Sequence, residues 1–328
     1  MALQESTLAW LIAQNAAAGG DAGEVQTTID DMFLEVLARP TQDMVLFSKY
    51  VDYKRDYMSP EGVTVFRLSP LKVQLSALAE GVPGDGQKFT LKSMKITSAE
   101  YGDYVTYTNR IKTWMTVTPL DEVVIELARV GVATRDALIM NVIESDASTV
   151  VEGGHSTDAE LEATDKPKLA TLVNISEGMI TNNVQPMRNG NYAVLIDRLQ
   201  ANDMIQNDPL LQQYMTVGMT NSPYRTGLIP DILGLEFDVI TWDRLDANAN
   251  PIFSATAPGV KGCPIYVFGK DAIGTNGGGI KSVVKEQGTV KSGDIFNMWG
   301  AFGWYMPMFG TRITRPEAVV RYVAVISQ

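Results

Sequence analysis

Apolar and polar positions change period several times along this chain, and each change marks an element. Thr28 can cap a short helix in which Ile29, Met32, Phe33, Val36 and Leu37 share a face, and Arg39-Pro40 closes it. From Gly62 to Lys112 the period drops towards two: Val63 and Val65, then Phe89 and Leu91, then Val105 and Tyr107 alternate with other residues. The middle of that stretch, Glu80 to Gln87, is turn chemistry (Gly, Pro, Asp). The pattern predicts a two-armed β excursion whose apolar content is too thin for a core of its own. At Thr118-Pro119 the period returns to 3.6. Thr118 suits the N-cap, Pro119 the first helical position, and Asp121 and Glu122 the positive end of the dipole. Leu120, Val124, Leu127, Gly131, Thr134, Leu138 and Val142 then mark one face of a helix running to about Asp146. Such a helix is about 42 Å long, a spine rather than an ordinary packing helix.

The second half alternates short helices and short strands. Val151 to Thr157 reads as a loop, and Asn174 with Glu177 reads as a capping box opening a helix with Ile175, Met179, Ile180 and Val184. Tyr192–Ile196 is a continuous apolar run fit for a buried strand. Helical stretches follow at Arg198–Gln206 and from Asp208 to about Val217, then a strand at Leu235–Thr241. Residues 170–280 thus predict an α/β unit with its own core. Ile295–Ser327, aromatic and β-branched with Gly breaks, predicts long strands.

The 328 residues carry 45% hydrophobic and 20% charged side chains, enough to bury a core and spread over about two domains. One Cys excludes an internal disulfide, and one His excludes any mechanism needing two. No run approaches a membrane span, and the apolar run Leu8–Ala13 has no basic leader, so no membrane partner or secretory signal is expected. The net charge of −11 is uneven: residues 61–118 carry +2, residues 119–170 carry −7, and residues 281–328 carry +3. The acidic total would repel nucleic-acid phosphate; the alternation of sign could serve contacts between copies, but charge alone favours a solvated mixed surface.

The search for chemistry returns little. Gly274 to Ser282 approaches a phosphate-binding loop, but Ile280 separates the last Gly from Lys281. Asp246, Asn248 and Asn250 begin like a calcium loop that fails at Pro251 and Ala257. Cys263 precedes an apolar strand and reads as a buried small hydrophobe, and His155 sits in a Gly-rich loop without a nucleophile-elbow context. No catalytic residue, cofactor or metal is expected. A chain of this size with no catalytic constellation and a two-armed β excursion suits a structural role, and a non-enzyme is the expectation.

Particular residues sharpen this. Glu80-Gly81-Val82-Pro83, Gly86-Gln87-Lys88-Phe89-Thr90 and Glu100-Tyr101-Gly102-Asp103-Tyr104-Val105 resemble the signature of tailed-phage major capsid proteins, in the subfamily that includes the capsid protein of coliphage N-four. The resemblance continues in order through Leu127–Ile143, Tyr192–Ile196, Gly227–Leu235, Asp294–Trp304 and Arg315–Val319, covering about residues 62–328. It implies the α+β Hong Kong 97-like capsid fold: an N-terminal arm (1–60), an extended β-hairpin loop (61–113) lying across a neighbouring subunit, and a peripheral domain with the spine helix (114–165). An axial domain (166–280) would sit near the capsomer centre. C-terminal strands (281–328) would complete the peripheral domain, the last free to rejoin the axial one.

The implied partners are copies of the chain, as hexamers and pentamers of an icosahedral or prolate head, with portal, scaffold and decoration proteins. Double-stranded DNA would be enclosed without sequence-specific binding. The place would be the virion, with assembly in the host cytoplasm. On this reading Lys72, Lys88, Lys92 and Lys95 of the loop meet acidic residues of the next subunit, with Asp121, Glu122 and Glu126 of the spine helix as their counterparts. The alternatives are a cargo-holding nanocompartment shell with the same fold, an α/β enzyme built on 170–280, and a tail or decoration protein.

Overall fold

The computed structural model describes residues 47–54, 58–59, 61–68, 90–108, 119–187, 190–216, 231–240, 262–277, 279–285 and 299–326. The helix expected at 28–37, the turn-rich stretch 80–87, Lys72 and Lys88 lie outside them. In chain order the strands are β1 (Val51–Tyr53), β2 (Met58–Ser59), β3 (Gly62–Leu68), β4 (Leu91–Thr97) and β5 (Ala99–Thr108). Helix α1 (Pro119–Asp146) follows, then β6 (Ser148–Val151), α2 (Leu169–Thr181), β7 (Tyr192–Asp197), α3 (Arg198–Asn207) and α4 (Pro209–Thr216). The chain continues through β8 (Leu235–Ile240), β9 (Gly262–Phe268), β10 (Ile273–Thr275), β11 (Lys281–Lys285), β12 (Trp299–Phe309), β13 (Thr311–Ile313) and β14 (Val319–Val325).

Helix α1 runs over the 28 residues its pattern predicts, but its buried face differs from the predicted one. Leu127, Ala128, Gly131, Val132, Asp136, Ile139, Met140 and Ile143 are buried, whereas Thr134, Leu138 and Val142 are only partly so. The misreading has a physical cause. Asp136 belongs to the buried stripe, where it accepts hydrogen bonds from the Ser48 amide (3.2 Å) and Ser48 hydroxyl. A carboxylate on the core face breaks the apolar period, and its partner stands 88 positions away in the chain. At Gly131, a Cβ would lie 3.3 Å from the Trp304 ring, so the helix packs hard against β12 there.

A five-stranded mixed sheet, ordered β6-β14-β9-β7-β8, forms the centre. Strands β7 and β9 are buried at every position, as their unbroken apolar runs require. The unit expected to have its own core at 170–280 does not stand alone. Its sheet is completed by β6 and by the C-terminal β14, which pairs parallel with β6 and antiparallel with β9. One buried cluster runs from Phe47 and Tyr50 through α1, α2 and the sheet to Phe302, Trp304 and Tyr322. Tyr50 stacks on Phe268 with ring centroids 4.6 Å apart.

The β excursion also divides differently from the pattern. Strands β3 and β4 form an antiparallel hairpin, from Gly62 opposite Thr97 to Leu68 opposite Leu91. Beyond the corner at Ser98, β5 leaves that hairpin and pairs with β12, giving the antiparallel sheet β11-β12-β5. Strand pairing is non-local, and alternation along a strand carries no information about its partner.

Helix α2 starts at Leu169, five residues before the capping box read at Asn174-Glu177, so Asn174 lies inside the helix. Its amino terminus has no local side-chain cap. Instead the Leu169 amide donates to Asp208, whose other oxygen accepts from Leu210 (2.9 Å) and Leu211 (3.3 Å) at the start of α4. One buried carboxylate thus caps two helices.

Candidate assembly surfaces

The β3–β4 hairpin is anchored by Val63 and Ile96, both fully buried at its base. Beyond them, one face presents Arg67 and Lys92 in register, and the other carries Phe66, Leu91, Ser93 and Lys95. Phe66 and Leu91 are large, exposed apolar side chains. An exposed apolar hairpin face is what a strand pair built to lie on another surface presents.

Two charged residues of the hairpin, Lys95 and Arg67, have partners in this chain. Lys95 Nζ lies 2.5 Å from Glu61, and the Lys95 carbonyl accepts from Arg312 (3.0 Å). The hydrogen bond from Lys95 holds the Glu61 carboxyl below its ordinary value. Arg67 Nη1 lies 3.3 Å from Glu317. Lys92 is exposed beside Arg67. On α1, Glu126 is exposed and 3.5 Å from Arg129. Asp121 and Glu122 stand in the first turn of the same helix. The structure therefore places Lys92, Lys95 and Glu126 on the surface, and pairs Lys95 and Glu126 within their own chain rather than with each other. Such exposed pairs contribute little and exchange readily for pairs across an interface.

Two grooves lie on the described surface. One, of about 510 Å³, runs over the outer face of β11-β12-β5, lined by Gly102, Gly303, Tyr104, Tyr305, Val283 and Lys285. Gly303 stands opposite Tyr104, and a Cβ there would come within 2.7 Å of the Asp103 carbonyl, so the floor is bare backbone. The other, of about 530 Å³, lies between α2 (Asn174, Gly178) with the Asn182 that follows it, the edge strand β6 (Ser148, Val150) and Glu317. Neither groove contains His155 or Cys263.

Those two residues have structural roles. Cys263 is buried in β9, as its sequence context predicts. His155 Nε2 lies 3.0 Å from Asp165, whose carbonyl accepts from the Val325 amide (2.9 Å), so the pair ties the 152–165 loop to β14. Ser156 uses its amide to bond Glu160 (3.0 Å). Among the described residues no cluster of three or more His, Cys, Asp or Glu converges to hold a metal, and no helix is long and apolar enough to cross a membrane.

The deepest polar network lies under the C-terminal strand, and local sequence patterns gave no sign of it. Glu152 is buried and accepts from the Tyr322 hydroxyl (2.6 Å) and Thr171 hydroxyl (2.8 Å), with Lys168 Nζ at 2.8 Å. Nearby, Arg321 bridges Glu144 (2.7 Å) and Asp158 (2.8 Å), and Glu144 also receives the Tyr266 hydroxyl. These groups lock β14 against the end of α1 and the start of α2.

Residues 92–322, about 70% of the chain, match the family model described as phage capsid protein. No curated protein matches the chain in sequence. Among solved structures, the chain is similar to the capsid of Ralstonia phage GP4, with 12% identity and a TM-score of 0.64 over 88% of this chain and 92% of that one. It is also similar to the capsid of Helicobacter pylori bacteriophage KHP30 (14% identity, TM-score 0.61, 83% and 87% covered). The capsid of cyanophage P-SCSP1u follows at 16% identity and TM-score 0.59, with 86% and 89% covered. At these identities the likeness is one of fold. It is the α+β arrangement described above: the β3–β4 hairpin, a long helix, and a mixed central sheet that takes in the last strand. With a family match over most of its length and that fold around it, the chain belongs to the phage capsid protein family and has the Hong Kong 97-like fold.

Proposed function

We propose that this chain is the major subunit of a tailed-phage head, assembling as hexamers and pentamers into a closed shell around double-stranded DNA. The family match over residues 92–322 carries this reading. The β3–β4 hairpin, on which Phe66 and Leu91 are large, apolar and exposed, supports it, because assembly covers such side chains. Head-to-tail contacts between different patches close into rings, and rings tile a curved shell. The subfamily is the one that includes the coliphage N-four capsid protein. Portal, scaffold and decoration proteins are the other partners, assembly takes place in the host cytoplasm, and the net charge of −11 keeps packaged DNA from adhering to the shell wall.

Electron microscopy of the recombinant full chain, with and without mild crowding, tests this directly. Closed shells, capsomer rings or sheets are expected. A uniformly monomeric protein under every condition would count against self-assembly.

The hairpin lysines supply a second test. Lys88 and Lys92 meet the acidic −7 segment of a neighbouring copy, with Asp121, Glu122 and Glu126 as counterparts. Reversal of both (Lys88→Glu, Lys92→Glu) is expected to lower particle yield at physiological salt by about tenfold or more, with the far-UV circular dichroism unchanged. Undiminished particle yield would remove these lysines from the interface.

A further inference from the structure

We propose that the three-stranded sheet β1-β10-β13 is a socket that fixes the direction of the β3–β4 hairpin within its own subunit. The device belongs to the single chain and is there whether or not the chain builds a shell.

Only Ser98 lies between β4 and β5, although the two strands belong to different sheets. A single connecting residue is where a hairpin could swing, so its surroundings decide whether the hairpin is hinged or held. Three segments far apart in the chain close on the two residues before this corner. A Cβ at Gly62 would fall well inside contact distance of the Ile96 carbonyl oxygen and 3.1 Å from Thr97 Cα. The Ile96 side chain is fully buried. Its Cδ1 lies 3.2 Å from where a Gly274 Cβ would stand, and its Cγ2 lies 3.2 Å from where a Gly310 Cβ would stand. Ile96 thus fills the space that two missing side chains leave.

Hydrogen bonds fix the same short stretch. Arg312 Nη1 donates to the Lys95 carbonyl (3.0 Å), and the Ser98 amide donates to the Glu61 carbonyl (3.1 Å). Asn276 Nδ2 donates to the Ser98 hydroxyl (2.5 Å). The small sheet gathers these contacts. Gly274 is in β10 and Arg312 in β13, while Asn276 directly follows β10 and Gly310 directly precedes β13. Strand β1 pairs with the other side of β10, and the Lys54 amide just past it donates to the Thr275 carbonyl (2.8 Å). Farther along the hairpin, the Arg67–Glu317 pair also reaches the body, but both side chains are exposed and such a pair is weak. Close packing at the root therefore outranks it. A hairpin so held brings Phe66 and Leu91 to any surface in one orientation, without the ordering cost of a swinging arm.

The test places spin labels on the dilute, unassembled, full-length chain. One goes on β4 (Ser93→Cys) and one on α1 (Asn141→Cys), both exposed positions, while Cys263 is buried and escapes the label. Asn141→Cys with Glu177→Cys on α2 gives the reference width of a pair within the body. Pulsed electron paramagnetic resonance is expected to show one hairpin-to-helix distance, as narrow as the reference. Ile96→Ala empties the socket and should broaden that distribution roughly twofold, with the reference pair unchanged. If Ile96→Ala does not fold, Ile96→Val removes only Cδ1, the atom that reaches Gly274, and should broaden it by a smaller step. Arg67→Ala should leave the width as it was. A broad or two-peaked distance with Ile96 in place would reveal a hinge at Ser98 and overturn the socket. An unchanged width on shortening Ile96, or an Arg67→Ala chain that broadens as much as Ile96→Ala, would overturn it too, because the direction would then be set elsewhere.

Discussion

Replacing Gly310 with alanine is expected to destabilise the unassembled subunit by about 3 kcal/mol, enough to lower its melting temperature by roughly 6–12 °C. Gly310 joins β12 to β13, and a Cβ there would lie well inside contact distance of the Thr97 carbonyl oxygen and 2.9 Å from its carbon. Neither side can retreat. The Gly310 amide donates to Asn276 Oδ1 (2.7 Å), and its carbonyl accepts from the Asn276 amide (3.2 Å) and Thr275 hydroxyl (2.8 Å). The Asn276 side chain in turn donates to Ser98, at the corner between β4 and β5. The base of the hairpin, β10 and the β12–β13 corner therefore meet on one residue without a side chain. Gly178→Ala is the counter-test. A Cβ at that position in α2 meets nothing within 4 Å, so the change should stabilise by about 0.5–1 kcal/mol. Urea unfolding of both variants measures the contrast. If Gly310→Ala unfolds at the wild-type midpoint, the junction is looser than these contacts require.

Elements whose signals are local were legible in the sequence. Helix α1 begins at Pro119 and ends at Asp146 as its cap and period predict, and β7 and β8 occupy their apolar runs. Elements whose determinants lie far off in the chain were not. The start of α2 depends on Asp208, and the buried face of α1 depends on Ser48 opposite Asp136. The partner of β5 is β12, nearly two hundred residues later, and the corner at Ser98 has no glycine or proline to announce it. The candidate assembly residues come from the family resemblance, and the structure gives only the exposure and in-chain contacts of Lys92, Lys95 and Glu126. Lys92 and Lys95 are both exposed, on opposite faces of the hairpin. The in-chain ion pair of Lys95 with Glu61, and the placing of Lys92 opposite Arg67, follow from strand register, which composition does not encode.

Acid should loosen the C-terminal strand, and Glu152 is the group through which it acts. Burial alone would push this carboxyl up, but hydrogen bonds from Lys168, Tyr322 and Thr171 outweigh burial and hold it below its ordinary value. Burial, and after it the hydrogen bond to Glu152, pushes the Tyr322 hydroxyl up, and the hydrogen bond to Glu152 pushes the Lys168 ammonium up, so both partners keep their protons while the carboxylate stays charged. Between the folded and unfolded values of Glu152 the unfolded chain binds more protons, so stability rises with pH there. The contribution is complete above the ordinary carboxyl value of 4.5 and is lost as pH falls through the lower folded value. Lys168 is more than half exposed, and its charge is screened by water, so the buried hydroxyl donors carry most of the energy. Glu152→Ala should therefore destabilise by about 3 kcal/mol near neutral pH, leaving the fully buried Tyr322 hydroxyl without its acceptor. Lys168→Ala should cost under about 1 kcal/mol. Asp52, pushed up by burial, acts with the opposite sign, but it is present in wild type and variant alike and cancels in their difference. Unfolding midpoints at neutral pH and in steps below pH 4.5 decide the matter. The gap between wild type and Glu152→Ala should narrow as the acid protonates the folded-state carboxylate. A gap that stays constant down that series would mean the carboxylate charge does not hold β14 in place, and that packing of Tyr322 alone does.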